Sequence, residues 1–158
     1  MLVYRITHKS FSKKLYDSAA KGRWNGNGKK VIYCAESIAL AFLENMVRRQ
    51  GVGFNDDFKI MIIEISKDLK ITTINAADLK DGWRDFKDYS KCQPLGDKWY
   101  DEAKTPILKV PSAVLPESFN YVINTTHPDY KKIKLIGTTD LVPDQRIEEI
   151  LKKYSARK

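Results

Sequence analysis

Seven short runs of apolar and β-branched residues are spread along this chain, and the segments with helical periodicity do not alternate with them in a regular order. Regular strand–helix–strand alternation would indicate a parallel sheet, whereas this irregular order is typical of α+β proteins. The sequence therefore predicts an α+β fold, a compact single domain whose mixed, mostly antiparallel sheet is flanked by helices. A chain of 158 residues is long enough for one domain with a real core.

The individual elements are predicted from local periodicity and from turn residues. The predicted strands cover residues 2–7, 30–35, 58–66, 70–75, 106–112, 119–124 and 132–137, with 58–66 and 70–75 paired as a hairpin. The predicted helices cover residues 10–22, 36–51, 83–89, 97–104 and 144–154. Clustered Gly and Asn residues indicate a loop over 23–30.

The composition describes a globular chain with a basic surface. Lys and Arg number 28 against 20 Asp and Glu, so the formal net charge is +8. This charge suits nucleic acid, an anionic small molecule or an acidic protein partner, and its scatter along the chain does not decide between them. Apolar runs are too short for a membrane span, no secretory signal is expected, and Cys34 and Cys92 lack metal-ligand spacing. We therefore predict a cytoplasmic protein with free thiols, no metal site and no membrane segment.

Glu44 lies at the border of the apolar face of the most regular predicted helix, 36–51. At 100° per residue the apolar side chains of this helix fill an arc of about 200°, and Glu44 falls just outside that arc. A carboxylate at such a border is half-desolvated and can be directed at a ligand. Alternatively, Glu44 is solvated and pairs with Arg48 one helical turn later. The periodicity leaves both interpretations open.

The loop GRWNGNG, residues 22–28, carries two side chains suited to ligand binding. Its glycines would let backbone N–H groups approach a ligand closely. Arg23 offers a planar fork for phosphate or carboxylate oxygens, and Trp24 offers a flat face. The spacing of a P-loop or dinucleotide fingerprint is absent, so an ordinary loop anchored by its Trp is the alternative. Tyr33 and Arg5 each lie on a predicted strand and, taken alone, are interpreted as half-buried strand residues.

Pro111 and Pro116 confine the chain on both sides of Ser112 and hold that serine at a strand end. Further along, Asn124 ends a strand, and His127 precedes a Pro-Asp pair that is typical of a helix-entry turn. A histidine at such a position is usually structural. No Gly-x-Ser-x-Gly elbow and no partnered base are evident, so Ser112 is not predicted to be a nucleophile.

Five segments, taken together and in order, resemble the RES domain family, the toxins of bacterial Xre–RES toxin–antitoxin pairs. The segments are YRI (4–6), GRWNGNGKKVIYCAESIALAFLE (22–44), LGDKW (95–99), VPSAVLPESFNYVIN (110–124) and HPDY (127–130). The resemblance covers residues 3–137 of a domain taken as 1–158. Two features depart from the family pattern: residues 125–126 are Thr-Thr where a Pro is expected, and the helix 144–154 extends past the family's usual end.

The resemblance implies a fold similar to that of ADP-ribosyltransferases and an enzyme that depletes NAD by cleaving its nicotinamide–ribose bond. Transferred by motif, the Arg, Glu and Ser that name the family fall on Arg5, Glu44 and Ser112, which are the expected catalytic residues. Four residues match positions that the family assigns to its pocket, and Trp24 is added because its ring offers a flat face. The expected substrate-binding residues are therefore Arg23, Trp24, Tyr33, Asn124 and His127.

On this hypothesis NAD is the substrate and no prosthetic group is needed. Arg5 and Arg23 would bind the diphosphate, Tyr33 would pack on the nicotinamide or its ribose, Glu44 would stabilise an oxocarbenium-like ribose, and Ser112 would donate a hydrogen bond to the nicotinamide amide or a phosphate. The acceptor stays open. Water gives an NAD glycohydrolase, inorganic phosphate as co-substrate gives a phosphorylase, and a protein side chain gives an ADP-ribosyltransferase.

The resemblance also implies a partner, a helix-turn-helix antitoxin of the Xre type that covers the NAD site. DNA would then be contacted only through the antitoxin. The competing class is a non-enzymatic module that uses the +8 charge to bind nucleic acid directly. Such a module predicts steeply salt-dependent binding and no loss of NAD.

Overall fold

The computed structural model describes residues 1–49 and 57–155. The strands are β1 (Leu2–His8), β2 (Val31–Ala35), β3 (Phe58–Ile65), β4 (Ile71–Thr73), β5 (Ile107–Pro111), β6 (Phe119–Asn124) and β7 (Ile133–Asp140). They join one sheet in the order β4-β5-β6-β2-β1-β3-β7, in which only the β4–β5 pair is parallel. Its α-helices, within the described ranges, are α1 (Ile38–Arg48), α2 (Gln93–Glu102) and α3 (Gln145–Ser155). The predicted α+β class with a mixed, mostly antiparallel sheet is confirmed.

The sheet is covered on both faces, and β1 contributes alternate residues to each. Val3 packs with Cys34 on one face, which we call the Val3 face. Ile6 packs with Ala35 and with helix α1 on the opposite face, which we call the α1 face. Because successive strand residues point to opposite faces, these neighbours assign the other residues of β1 and β2 as well.

Two separate apolar clusters cover the α1 face. Helix α1 packs on β1, β2 and β3. The second cluster is built around Trp24, Trp83 and Trp99 and lies on β5 and β6. Strand β2 contributes Ala35 to the first cluster and Val31 to the second, so the boundary between the two clusters runs along β2.

Helix α1 begins where Ser37 accepts a hydrogen bond on its side-chain oxygen from the N–H of Leu40, at 3.1 Å, which satisfies one unpaired donor of the first turn. Leu40 and Ala41 are buried against the sheet, and Glu44 lies one turn further along the same side. The helix predicted over 36–51 is confirmed, with observed bounds Ile38–Arg48. The predicted end at Gly51 lies outside the described residues.

The predicted hairpin of 58–66 with 70–75 is wrong. Both edges of β3 are occupied, one by β1 and the other by β7, so no position beside β3 is left. Strand β4 instead lies at the opposite edge of the sheet and pairs in parallel with β5. A three-residue edge strand of this kind depends on a distant partner and leaves little local signal.

The predicted helix over 10–22 is also wrong. A single 3-10 turn forms at Lys9–Phe11, and the chain then runs over the Val3 face. Leu15 packs on the core there, and the N–H of Ser18 donates to the carbonyl of Val31 at 3.0 Å. Pairing with the sheet therefore replaces helical hydrogen bonds in this segment.

Residues 83–89 form turns and not the predicted helix. The carboxylates of Asp85 and Asp88 accept hydrogen bonds from the N–H groups of Lys87 and Ser90, at 2.8 and 2.9 Å, and such local bonds compete with a helix. The helix predicted at 97–104 belongs to the longer α2, and α3 confirms the helix predicted at 144–154. No helix within the described ranges is long and apolar enough to cross a bilayer.

Candidate functional site

Glu44 of α1, Ser112 after β5 and Asn120 of β6 meet on the α1 face. Ser112 Oγ donates to Glu44 Oε1 at 2.7 Å, and Asn120 Nδ2 donates to the same oxygen at 2.6 Å. Glu44 Oε2 accepts no hydrogen bond from any residue in 1–49 or 57–155, and the side chain is half-buried. The carboxylate is thus fixed through one oxygen and presents the other.

The alternative in which Glu44 pairs with Arg48 does not occur in the described part of the chain. Glu44 Oε1 is used by Ser112 and Asn120, and Arg48 is exposed without an ion pair or hydrogen bond to the other described residues. Glu44 is therefore directed toward the sheet, and Arg48, one turn away, has no carboxylate partner among residues 1–49 and 57–155.

Ser112 is completely buried, and every hydrogen-bonding position of its hydroxyl is occupied. The hydroxyl donates its single proton to Glu44 and accepts from the N–H groups of Val114 and Leu115, at 3.1 and 3.0 Å. A serine hydroxyl has one donor and two acceptor positions. Ser112 therefore has no free donor for a substrate, and its contact is with Glu44.

Asn120 was not identified from the sequence. It pairs with Val110 of β5 on one side and with Ala35 of β2 on the other, which brings its amide under Glu44. The alternation in β6 puts Asn120 on the same face as Val122, so a polar residue on a buried face was the only sequence indication that Asn120 belongs to the site. The strand order that makes this position central is set by contacts far apart in sequence.

Tyr33 forms the floor of the α1 face beside this group, two residues before Ala35 in β2. Its hydroxyl donates to Asn25 Oδ1 at 2.7 Å and accepts from the N–H of Trp24 at 3.0 Å. Burial raises the pKa of Tyr33, and this increase is partly offset by the Trp24 N–H and by the charges of Arg23 and Arg48. The phenol is therefore neutral at physiological pH and lies within the field of two guanidinium groups.

Arg23 faces the same floor from the side opposite to α1, and three of its five N–H donors are already used. Its guanidinium donates to the carbonyls of Trp83, Arg84 and Asp85, with distances of 3.0 Å to Asp85 and 3.3 Å to Arg84. It also lies over the ring of Tyr89, 4.8 Å from the centroid. Arg23 thus organises the turn at 83–85 as well as contributing positive charge.

The loop at 22–28 is built differently from the sequence expectation. The N–H groups of Gly22, Gly26 and Gly28 donate to Asn25 O, Asp97 Oδ1 and Ala19 O, so none of these glycine N–H groups is free for a ligand. Instead, Gly22 is needed because a Cβ there would lie 2.7 Å from the hydroxyl oxygen of Tyr33.

Trp24 is only 2% exposed and packs its ring on Trp83, with centroids 6.4 Å apart. Its flat face is covered by the second cluster of the α1 face, so the ring anchors the loop inside the core. Of the two interpretations drawn from the sequence, an ordinary loop anchored by its tryptophan is the one that describes Trp24.

Arg5 lies on the Val3 face and is not brought to the group around Glu44. It alternates with Tyr4 and Ile6, pairs with Met61, and donates to the carbonyl of Tyr16 at 3.2 Å. Burial lowers the pKa of Arg5. The sheet itself separates this guanidinium from Glu44 and Ser112.

Asn124 and His127 lie at the other end of β6, with Asn124 about 13 Å along the strand from the site asparagine. Asn124 is buried and accepts from the N–H and the hydroxyl of Thr126, at 2.9 and 2.7 Å. His127 accepts from the N–H of Asp129 at 3.0 Å, and its Nε2 lies 3.0 Å from the carbonyl of Ala103. Both residues close the turn that follows β6.

Comparison with known proteins identifies relatives over most of the chain. The family model of the RES domain matches residues 2–146. "Toxin Res" of Pseudomonas putida is 28% identical over 149 residues, 93% of this chain and 99% of that protein. "Prs ADP-ribosylating toxin" of Sphingobium sp. strain YBL2 is 34% identical over 115 residues, 72% of this chain and 71% of that protein.

Among solved structures, the fold is similar to a chain in the crystal structure of the M. tuberculosis MbcT–MbcA toxin–antitoxin complex. The TM-score is 0.68 at 17% sequence identity, over 98% of this chain and 88% of that chain. At this identity the similarity establishes a shared fold.

Proposed function

This chain belongs to the RES domain family, and on that premise we propose that it is the toxin of a toxin–antitoxin pair and depletes NAD by cleaving the nicotinamide–ribose bond. One observation carries the proposal: a carboxylate, Glu44, is fixed through one oxygen by Ser112 and Asn120 while its other oxygen is open. Tyr33 beside it and the guanidinium groups on two sides suit a dinucleotide that carries a diphosphate.

The chemistry requires charge stabilisation more than proton transfer. When the bond between the ribose C1′ and the pyridine nitrogen breaks, its electron pair returns to the nitrogen and neutralises the pyridinium, so nicotinamide leaves without a general acid. The ribose becomes oxocarbenium-like, as in other glycosyl transfers. An oriented carboxylate stabilises this positive charge because its geometry is already set before the reaction.

Glu44 is the catalytic residue in this scheme, and Ser112 and Asn120 position it. Ser112 is buried and its proton is committed to Glu44, so we replace the earlier expectation of a hydrogen bond to the substrate with a positioning role. With water as the acceptor, the water oxygen bonds to C1′ and releases a proton, giving ADP-ribose. With inorganic phosphate, a phosphate oxygen bonds to C1′, giving the 1-phosphate of ADP-ribose.

Arg48 is the best candidate to bind the diphosphate or the phosphate co-substrate. It lies one turn after Glu44 on α1, is exposed, and has no anionic partner among the described residues. Arg23 adds charge from the opposite side, although its N–H groups bind the turn at 83–85. Arg5, Trp24, Asn124 and His127 then support the fold and make no contact with the dinucleotide.

The test is incubation of the purified protein with NAD, followed by product identification with and without phosphate. We expect nicotinamide release, and the second product will be ADP-ribose or its 1-phosphate. Glu44→Ala should lower the rate about 10²–10³-fold, the usual cost of removing one preorganised charge-stabilising group. Glu64→Ala, at an exposed glutamate of β3, is the control and should leave the rate unchanged. Unaltered NAD would refute the proposal.

A second candidate is transfer of ADP-ribose to a protein side chain. It is favoured by the relative named "Prs ADP-ribosylating toxin" from Sphingobium, which is 34% identical to this chain. The same open oxygen of Glu44 would stabilise the same ribose cation, and only the acceptor differs. Label from the adenine half of NAD that becomes attached to a protein, in place of free ADP-ribose, would favour this activity.

The partner we propose is an antitoxin of the Xre type that covers the surface around Glu44. The similarity in fold to a chain from a toxin–antitoxin complex supports an antitoxin partner, and the Xre type is what the family resemblance implies. An acidic segment or a terminal carboxylate would suit the positive charge of the exposed Arg48. Expression of the toxin alone should arrest growth, and co-expression should restore it. NAD loss at the full rate in the purified complex would contradict this arrangement.

A further inference from the structure

We propose that Arg84 is a positioning residue that couples the turn held by Arg23 to the hydroxyl of Ser112, and through it to Glu44. This inference rests on the proposed function of Glu44. Arg84 has no counterpart among the residues expected from the sequence, and it contacts neither Glu44 nor Ser112 directly. Its effect is transmitted through backbone groups.

The first link is the turn at 83–85. Three consecutive carbonyls, those of Trp83, Arg84 and Asp85, accept hydrogen bonds from the single guanidinium of Arg23. Trp83 is buried in the second cluster of the α1 face, so the turn is fixed from two sides. The Arg84 side chain therefore begins from a defined position.

The second link is the loop after β5. Arg84 Nε donates to the carbonyl of Ala113 at 2.9 Å, and one of its terminal nitrogens donates to the carbonyl of Val114 at 3.5 Å. The N–H groups that follow, those of Val114 and Leu115, donate to Ser112 Oγ. A planar guanidinium can hold two adjacent carbonyls in a fixed orientation, which a lysine cannot reproduce.

The third link is the direction of the Ser112 proton. With both acceptor positions of the hydroxyl occupied, its proton can only point toward Glu44 Oε1. If Arg84 is removed, the two N–H groups lose one of the contacts that orient them and the loop is held only by the backbone bonds between Ser118 and its neighbours. The hydroxyl then gains rotational freedom, and Glu44 loses part of its fixed geometry. The substrate-binding groups are unaffected, so kcat falls while KM changes little.

A double-mutant cycle on NAD cleavage tests this coupling. Arg84→Ala should lower kcat about 10-fold, and Arg84→Lys should recover part of it. In the Ser112→Ala background, Arg84→Ala should cost less than about twofold because its route to Glu44 is already broken. Lys87→Ala removes a positive charge from the same segment and should match the parent protein. Additive effects of the two substitutions would overturn the proposal.

Amide hydrogen exchange of the intact protein gives a readout that is independent of activity. Exchange at Val114 and Leu115 should accelerate at least about 10-fold in Arg84→Ala and stay unchanged in Lys87→Ala. Unchanged exchange in Arg84→Ala refutes the coupling even if the parent protein cleaves NAD. Conversely, a parent protein that leaves NAD intact refutes the proposed function, while the exchange data still decide whether Arg84 orients the loop.

Discussion

Replacement of Ser112 by alanine tests the core of the site because one hydroxyl makes three hydrogen bonds there. The substitution removes the 2.7 Å bond to Glu44, a contact with a charged group that contributes about 1.5–3 kcal/mol. It also leaves the N–H groups of Val114 and Leu115 without their acceptor. Leu115 is 44% exposed and Val114 is half-buried, so water can reach both, and the cost is about 1 kcal/mol each.

Ser112→Ala should therefore lower the free energy of unfolding by about 3.5–5 kcal/mol, and the melting temperature by roughly 10–15 °C for a chain of this size. Urea unfolding of both proteins measures the first quantity. Because the hydroxyl is buried and positions Glu44 without touching NAD, kcat should fall about 10–100-fold at 15 °C while KM changes by less than about twofold.

The matched control is Ser118→Ala, which removes a hydroxyl from the same loop. Ser118 accepts on its backbone carbonyl from the N–H of Ser112 at 2.8 Å, and that bond survives the substitution. Its stability and kcat should stay close to those of the parent protein. If Ser112→Ala retained parental stability and parental kcat, the hydrogen bonds assigned to its hydroxyl would have no role.

Three further outcomes are expected. Arg48→Ala should raise KM for NAD about 10-fold with little change in kcat, as measured by steady-state kinetics. Arg146→Ala, at an exposed arginine of α3, is the control and should leave both KM and kcat unchanged. Gly96→Ala should unfold or strongly destabilise the protein, since a Cβ there would lie 1.9 Å from a backbone oxygen, whereas Gly137→Ala has no atom within 4 Å and should be neutral by thermal melting. The hydrogen bond from Lys132 lowers the pKa of Asp68 to about 2, so the stability contributed by this ion pair is present above about pH 4 and is lost as the pH falls through about 2. Asp68→Asn should therefore lower the free energy of unfolding at pH 6 and not at pH 2. An equal effect at both pH values would refute the ion pair.

Most of the fold was predictable because its signals are local. Helix α1 and strands β1, β2, β5, β6 and β7 each carry their own periodicity, and the structure has them close to the predicted bounds. Two failures depend on distant parts of the chain, whereas the failed helix at 83–89 is explained by the local hydrogen bonds of Asp85 and Asp88. Residues 70–75 look like the second strand of a hairpin, yet β3 has no free edge, and Leu15 leaves the predicted helix to pack on the Val3 face.

The site was predictable only in part, for the same physical reason. Glu44 and Ser112 were identified by resemblance, and their direct hydrogen bond joins α1 to the residue that follows β5. Asn120 was missed because its importance comes from the strand order that sets β6 between β2 and β5. Alternation in β1 separates Arg5 from Ile6, but only the position of α1 shows which of the two faces contains the carboxylate.

The central claim is that the negative charge of Glu44 drives cleavage of the nicotinamide–ribose bond. Single-turnover nicotinamide release from NAD, compared between the parent protein and Glu44→Gln, tests it most directly, because the amide keeps the shape of the side chain and removes only its charge. We predict release by the parent protein and a rate about 10²–10³-fold lower in Glu44→Gln, with both proteins equally folded. Equal rates for the two proteins would contradict the claim.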